Sequence, residues 1–116
     1  MEEFSVELVP FNSADTVVFR PNGSIDSTSA PVLEKHLAEA INNRQYRIVV
    51  DFSKTEFISS AGLGLVLGTV ALLREKGGDM ILMGIRQHLA DIFELMSIED
   101  YFITIDSLDE LTVTKT

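Results

Sequence analysis

Two short apolar runs, residues 47–52 (RIVVDF) and 80–83 (MILM), place the strongest constraint on the fold. Continuous apolar runs of this length are typical of strands that are buried on both faces of a sheet. Residues 60–76 lie between the runs, carry apolar side chains at helical spacing and precede Gly77-Gly78, a common helix end. Because a strand, a helix and a strand follow one another, the sequence predicts parallel pairing with a right-handed crossover.

The first part of the chain predicts an antiparallel hairpin. Residues 4–9 alternate in polarity, as in a strand with one buried face. Residues 16–20 (TVVFR) predict a second strand, and Pro21-Asn22-Gly23 is expected to end it. The turn-rich residues 12–15 between the two strands are short enough to make them neighbours in the sheet.

Three more helices and a last strand complete the prediction. A first helix begins at residues 27–31 (STSAP), where hydroxyl side chains are expected to cap it and Pro31 lies in its first turn. A third helix covers residues 86–96, a strand covers 102–105, and a terminal helix begins at 107–111 with a Ser107/Glu110 capping box. The apolar stripes of the first and third helices are Leu33, Leu37, Ala40 and Ile41, and Leu89, Ile92, Phe93 and Met96. The order ββαβαβαβα predicts an α/β domain over residues 1–116, with a mixed sheet of about five strands and about four helices.

Composition narrows the classes of partner. The chain has 18 acidic and 9 scattered basic residues, a formal charge of −9, which repels nucleic-acid phosphates and anionic membranes. It contains no cysteine, no apolar run near the ~20 residues of a membrane helix, and no signal-peptide pattern at its start. We therefore expect a cytoplasmic protein with no nucleic-acid or membrane partner.

Enzymatic chemistry by this chain is not expected. His36 and His88 are the only histidines, and neither has a second ligand at metal-binding spacing. The pair Ser59-Ser60 lacks the G-x-S-x-G elbow, and residues 62–64 (GLG) do not extend to a nucleotide-binding glycine motif. We expect no catalytic residue, metal or cofactor, although a serine–histidine arrangement that forms only in space stays open.

The segment FISSAGLG, residues 57–64, joins a strand to a helix. Ser59 or Ser60 is expected to cap that helix. Ser60, Gly64 and Gly68 follow at positions i, i+4 and i+8 and so share one helix face, although each interior glycine costs about 1 kcal/mol relative to alanine. Either another backbone packs closely against the glycines, or a partner docks on the smooth face that they leave.

The same helix is apolar nearly all round. Its expected core stripe consists of Leu63, Val66, Leu67, Val70 and Leu73. Leu65 and Leu72 point elsewhere, and a small domain cannot easily bury a helix on both sides. The sequence therefore predicts an exposed apolar patch beside Ser60, of the kind that binds another protein.

Residues 51–64 (DFSKTEFISSAGLG) resemble the signature of the STAS domain family, found in bacterial anti-sigma factor antagonists and at the C-termini of sulfate transporters. In that family, a strand ending in D-[LF]-S leads to a loop ending in D-S-[SAT]-G-L-G. Residues 23–26 (GSID) resemble the family's G-x-[LI]-D, and the order of elements agrees along essentially the whole chain. The resemblance implies a stand-alone antagonist, and we expect the chain to be a monomer or weak dimer.

The resemblance also implies a phosphorylation switch. An anti-sigma factor that is a serine kinase phosphorylates the serine before [SAT]-G-L-G, which is Ser60 here, and a serine phosphatase restores the binding form. Ser59 replaces the family's usual aspartate and is an alternative acceptor. Asp26 either caps the first helix or shapes the turn after Gly23, or, as the resemblance implies, it borders the partner surface. The partner-binding residues that we predict are Asp26, Ser59, Ser60, Ala61, Gly62, Leu63, Gly64, Leu65 and Gly68. The alternative function is a non-phosphorylated STAS scaffold in a signalling or transport complex.

Overall fold

The computed structural model describes residues 3–114, with the side chains of residues 3–111, and contains a five-stranded mixed sheet. The strands are β1 Ser5–Val9, β2 Thr16–Asn22, β3 Arg47–Asp51, β4 Asp79–Met83 and β5 Ile103–Ile105. Their order in the sheet is the order in the chain, with β1 antiparallel to β2 and the other three pairs parallel. The predicted α/β fold with an initial hairpin is confirmed.

Four α-helices connect or follow the strands within residues 3–114. They are α1 Ala30–Asn42, α2 Ser60–Glu75, α3 Gln87–Leu95 and α4 Asp109–Thr114, and a 3₁₀ turn, Glu99–Tyr101, precedes β5. The Glu110 half of the predicted terminal capping box is observed, since Glu110 Oε2 accepts hydrogen bonds from the amides of Ser107, at 3.2 Å, and Asp106, at 2.6 Å.

The sheet is covered on both faces, and a separate apolar cluster fills each side. The larger cluster joins alternate strand residues such as Val50 and Leu82 to the buried stripes of the first three helices. The smaller cluster joins Val18, Val49 and Ile81 on the opposite face to Leu111 of α4. These strand residues are almost completely buried, which explains why β3 and β4 have continuous apolar sequences.

The expectation that residues 21–23 end the second strand was wrong by two residues. Strand β2 continues through Pro21 and Asn22, which pair with Val6 and Ser5 of β1. The parallel pairing of β2 with β3 ends at Phe19, so Pro21 has a strand neighbour on one side only. At such an edge the missing amide hydrogen of proline leaves no ladder partner unpaired.

The expected apolar face of the third helix is confirmed only in part. Leu89 and Phe93 are buried and Ile92 is half-buried, but Met96 is 52% exposed. Helix α3 ends at Leu95, and Met96 is its C-cap residue. The helical periodicity that placed Met96 on the buried face therefore no longer applies at that position.

Candidate functional site

Ser59 is the residue that caps α2. Its backbone is extended, with φ −84° and ψ 173°, and its Oγ accepts a hydrogen bond of 3.2 Å from the amide of Gly62. Its carbonyl oxygen accepts the 2.8 Å bond from Leu63 N that opens the helix. Ser59 thus satisfies an otherwise free amide of the first turn, as an N-cap serine does.

Ser60 occupies the first position inside the helix and has a different environment. Its side chain is exposed, and its Oγ makes no hydrogen bond with the residues that the structure describes. The backbone amides of Ser60 and Ala61 also lack an acceptor among residues 3–111. An exposed hydroxyl therefore lies beside two free amide donors at the positive end of a helix dipole.

Two loops that are distant in sequence are joined directly beneath this helix start. Ile25 and Ile58 form an isolated parallel bridge. Ile25 N donates to Phe57 O at 3.0 Å, and Ile25 O accepts from Ser59 N at 2.8 Å. The loop after β2 is thereby fixed to the loop after β3, which places Asp26 next in the chain to a residue that contacts Ser59.

The side chain of Asp26 stabilises the turn that leads into α1. Its Oδ1 accepts hydrogen bonds from the amides of Thr28, at 2.9 Å, and Ser29, at 3.0 Å. The amides of Ser29 and Thr28 hold the pKa of the Asp26 carboxyl below its usual 3.8. The expectation that a hydroxyl of residues 27–29 caps α1 was wrong: the N-cap residue is Ser29, and its Oγ donates to Ser24 O at 2.7 Å instead of accepting from the first turn of the helix. The side chain of Asp26 is exposed, and its role in binding a partner stays a prediction.

The glycines of α2 occupy two contrasting environments. A Cβ built on Gly62 would lie 2.8 Å from Ile25 O and 2.8 Å from Ile58 Cγ1, so the helix start sits directly on the joined loops. A Cβ on Gly64 or Gly68 would meet nothing within 4 Å. The interpretation that a backbone of this chain packs against Gly64 and Gly68 is therefore wrong, because that face of the helix is open.

The open face of α2 is largely apolar, as predicted. Ala61, Gly64 and Gly68 are exposed, Leu65 is half-buried, and Leu72 is 40% exposed. We call these five residues, together with Ser60, the α2 surface. Leu67, which was expected in the core stripe, is only half-buried, whereas the four other stripe residues are buried.

Two of the predicted partner-binding residues lie under the surface rather than on it. Gly62 is buried and Leu63 is 6% exposed. Both residues pack against the apolar interior, where they fix the position of the first turn. The structure thus brings the other predicted residues to one region, with Gly62 and Leu63 as their support.

Sequence reasoning missed two features beside the serines. Phe57 is 46% exposed although it stands in the loop that carries the site. Arg86, the N-cap residue of α3, forms an exposed ion pair of 3.7 Å with Glu56. Phe57 could have been noticed as an aromatic side chain outside any predicted element, but the Arg86 contact depends on tertiary structure.

Neither histidine is hydrogen-bonded to Ser60 within residues 3–111. The ring of His36 packs edge-on against Phe19, and its Nδ1 lies 2.9 Å from Val32 O. The exposed His88 makes no hydrogen bond with Ser60 within residues 3–111. In the same part of the chain, no three His, Asp or Glu side chains are grouped to hold a metal ion. No helix among residues 3–114 is both long and apolar enough to span a bilayer.

Comparison with known proteins assigns the family. The family model of the STAS domain matches residues 10–111. The anti-sigma F factor antagonist of Paenibacillus polymyxa is 29% identical over 104 residues, which cover 84% of this chain and 87% of that protein. BtrV of Bordetella bronchiseptica, which is assigned as an anti-sigma factor antagonist, is 34% identical over 73 residues. That alignment spans 63% of each chain, so this chain covers less than two thirds of BtrV.

Solved structures agree with the fold. The unphosphorylated form of the anti-sigma factor antagonist SpoIIAA superposes with a TM-score of 0.74 at 24% identity, covering 96% of this chain and 93% of that one. The phosphorylated form of SpoIIAA from Bacillus superposes with a TM-score of 0.69 at 23% identity, covering 96% of each chain. Because the family model matches residues 10–111, most of its length, the chain belongs to the STAS domain family.

Proposed function

We propose that this protein is an anti-sigma factor antagonist. In its unphosphorylated form it binds an anti-sigma factor that is a serine kinase, and so releases a sigma factor. Phosphorylation of Ser60 ends the binding, and a serine phosphatase restores it. Support comes from relatives that are named as anti-sigma factor antagonists and from the exposed apolar surface beside Ser60.

The observation that carries the proposal is the different environment of the two serines. Ser59 Oγ is already used by the amide of Gly62, and its residue is half-buried. Ser60 Oγ is exposed and has no hydrogen-bond partner within residues 3–111. A kinase can therefore approach Ser60 without breaking the cap of α2, whereas modification of Ser59 would remove it.

The chemistry of the switch follows from this placement. In the kinase reaction, Ser60 Oγ forms a bond to the γ-phosphorus of ATP, the bond to ADP breaks, and the hydroxyl proton leaves. The product carries about −1.5 to −2 charges at pH 7. The free amides of Ser60 and Ala61 and the helix dipole stabilise a phosphate locally. The fold is therefore expected to tolerate the modification.

The partner surface is not expected to tolerate it. A protein that covers Ala61, Gly64 and Gly68 would have to exclude water from the phosphate as well. Burying a charge without a matching partner group typically costs several kcal/mol. The proposed switch thus acts on the interface and leaves the folded domain intact.

The phosphorylation test uses the purified chain, ATP and the anti-sigma factor kinases of the same organism. We expect one added phosphoryl group by intact mass, located on Ser60 by peptide mapping and absent in Ser60→Ala. The Ser59→Ala variant should still be modified. Modification that persists in Ser60→Ala and disappears in Ser59→Ala would show that Ser59, and not Ser60, is the phosphorylated serine.

The binding test compares Ser60→Asp with Ser60→Ala by titration calorimetry against the same anti-sigma factor. We expect Ser60→Ala to bind as the unmodified protein does, and Ser60→Asp to bind at least about 30-fold more weakly, since a buried unpaired charge costs roughly 2 kcal/mol or more. The matched control is Ser107→Asp, at an exposed serine of the terminal capping box. Undiminished binding by Ser60→Asp would refute the switch.

A second function, a STAS scaffold without phosphorylation, is favoured by one residue. Ser59 carries no charge where the family usually has an aspartate, so a carboxylate that could assist recognition by the kinase is missing. The scaffold predicts a stable complex with a partner and no phosphoryl transfer to either serine. The two tests above therefore distinguish the two functions.

A further inference from the structure

The free edge of the sheet at β5 forms a recess with α3. Strand β5 pairs with β4 on one side and ends the five-strand order on the other. A recess of about 250 Å³ opens between this edge and α3. Its floor consists of Ala90 and the buried ring of Phe93, and Thr104 and Ile105 line the strand side. The recess is thus a site for an apolar side chain beside unpaired backbone groups.

Strand β5 is only three residues long, which is one of the features that protect an edge, but its side chains add no further protection. Its sequence, Ile-Thr-Ile, contains no lysine, no proline and no inward-pointing charge, and Ile103 is 47% exposed. Exposed edges of this kind pair readily with another extended chain, which adds a strand and uses alternate side chains for specificity. A segment that pairs with the backbone of β5 must therefore be extended.

The charge around the recess defines the chemistry of the occupant. The segment that contains α3 and β5, residues 87–114, has seven Asp or Glu and no Lys or Arg, whereas Arg44, Arg47 and Lys76 line a separate recess beside Ile103. Glu99 and Asp106 lie on the rim of the recess, and neither side chain forms an ion pair within the described residues. A positively charged segment would complement this region, and a second copy of the acidic chain would not.

One internal contact places a cation near the start of β5. The guanidinium of Arg74 lies 4.6 Å from the ring centroid of Tyr101, and its Nη2 donates to Tyr101 O at 2.7 Å. Arg74 is also paired with Asp79 at 3.1 Å. The carboxylates of Glu99 and Asp106 are not used by this arginine and remain available to another cation.

We infer that the groove between α3 and β5 binds an extended basic segment of a partner protein, in which Lys or Arg alternates with apolar residues. The segment adds a strand to β5, places one apolar side chain over Ala90 and Phe93, and directs cationic side chains to Glu99 and Asp106. The groove shares no lining residue with the α2 surface. Binding there is thus independent of the state of Ser60.

The test uses a synthetic peptide of alternating lysine and valine, about seven residues long, the length of an ordinary strand. Two matched peptides serve as probes of mechanism: one with glutamate for lysine, and one with N-methylated backbone amides. We expect the basic peptide to shift the amide NMR signals of residues 103–106 and 90–93 of the labelled full chain. The acidic peptide and the N-methylated peptide should leave these signals unchanged.

Variants of the chain separate charge from shape. The double variant Glu99→Gln with Asp106→Asn should bind the basic peptide roughly fivefold more weakly, the effect of two exposed ion pairs. The matched control removes two exposed acids of α1, Glu34→Gln with Glu39→Gln, and should not change the affinity. Ala90→Leu fills the recess and should abolish the signal shifts, with an unchanged circular dichroism spectrum as the check on folding.

Three results would overturn the inference. They are signal shifts that map away from the groove, equal binding of the N-methylated peptide, and equal weakening by the α1 control. The inference is also separable from the proposed function, because Ser60→Asp should bind the basic peptide as the unmodified chain does. If the peptide does not bind, the proposed phosphorylation of Ser60 is not contradicted. If Ser60 is not phosphorylated, the proposed binding of a basic segment in the groove is not contradicted.

Discussion

Replacing the exposed glycines of α2 by alanine should stabilise the protein. Glycine inside a helix costs about 0.5–1 kcal/mol relative to alanine, mostly through backbone entropy lost on folding. A Cβ at Gly64 or Gly68 meets no atom within 4 Å, so no steric cost offsets the gain. We expect each of Gly64→Ala and Gly68→Ala to raise the free energy of unfolding by about 0.5–1 kcal/mol, and the double variant by about 1–2 kcal/mol.

Gly62→Ala is the matched contrast in the same helix. Its Cβ would approach Ile25 Cγ2 to 2.6 Å and Ile25 O to 2.8 Å, distances that real Cβ atoms do not show. Because Ile25 is tied to Ser59 and Phe57 by backbone hydrogen bonds, it cannot move aside without breaking them. We expect Gly62→Ala to lower the free energy of unfolding by about 1–3 kcal/mol, the usual cost of overpacking.

Urea unfolding followed by far-UV circular dichroism measures all four variants. The midpoint should rise for the two single variants and rise further for the double variant, with an unchanged slope. In a thermal scan, a gain of 1 kcal/mol should raise Tm by roughly 4 °C. A loss of stability in Gly64→Ala or Gly68→Ala would refute the claim that this face is open, and a gain in Gly62→Ala would refute the close contact with Ile25.

The same variants bear on the proposed function. If a partner rests on the smooth face of α2, two methyl groups on that face should weaken the complex while they stabilise the free protein. We therefore expect the glycine-to-alanine variants to have a higher free energy of unfolding and a lower affinity for the partner. This combination is expected where residues unfavourable to a helix are present because an interface needs them. If the variants bind the anti-sigma factor with unchanged affinity, Gly64 and Gly68 do not belong to the proposed partner surface.

Three further predictions concern single side chains. Ser59→Ala should lower the free energy of unfolding by about 1 kcal/mol through loss of the cap, and Ser60→Ala should change it by less than about 0.5 kcal/mol, both by urea unfolding. The lowered pKa of Asp26 implies a stabilising contribution that is present above about its usual 3.8 and lost as pH falls through the folded-state value; Asp26→Asn should remove this part of the acid dependence in urea titrations run at several pH values. Arg20→Met should destabilise by about 2 kcal/mol, because Asp51, whose side chain is 6% exposed, would lose its 3.0 Å partner; a loss below about 0.5 kcal/mol in the same assay would contradict that role.

Local sequence patterns were sufficient to predict the sheet and most of the helices that pack on it. The continuous apolar runs of β3 and β4 require burial on both faces, and helices must then cross over to join parallel strands. The errors occurred where a neighbour in space overrides local preference. Pro21 stays in β2 because β1 supplies a pairing partner, and Met96 leaves the buried face because α3 ends one residue earlier.

For the candidate site, the sequence placed the serines but not their roles. It predicted a helix start at Ser59-Ser60, but only the path of the backbone shows that Ser59 accepts the amide bond and Ser60 points to solvent. The spacing of Gly64 and Gly68 predicted one shared face, but whether that face packs inside the chain depends on where the other elements lie. Contacts such as Arg86 with Glu56 join residues that no local pattern relates.

The bridge between Ile25 and Ile58 has a consequence for when the α2 surface exists. The pairing of β2 with β3 brings the two loops together, and Gly62 packs on the joined loops, so the α2 surface depends on contacts between distant parts of the chain. An incomplete or unfolded chain carries the same FISSAGLG segment without the surface that the fold builds from it. A partner that recognises this surface therefore responds to completed folding as well as to sequence, and a free peptide of residues 57–64 should not compete with the whole domain.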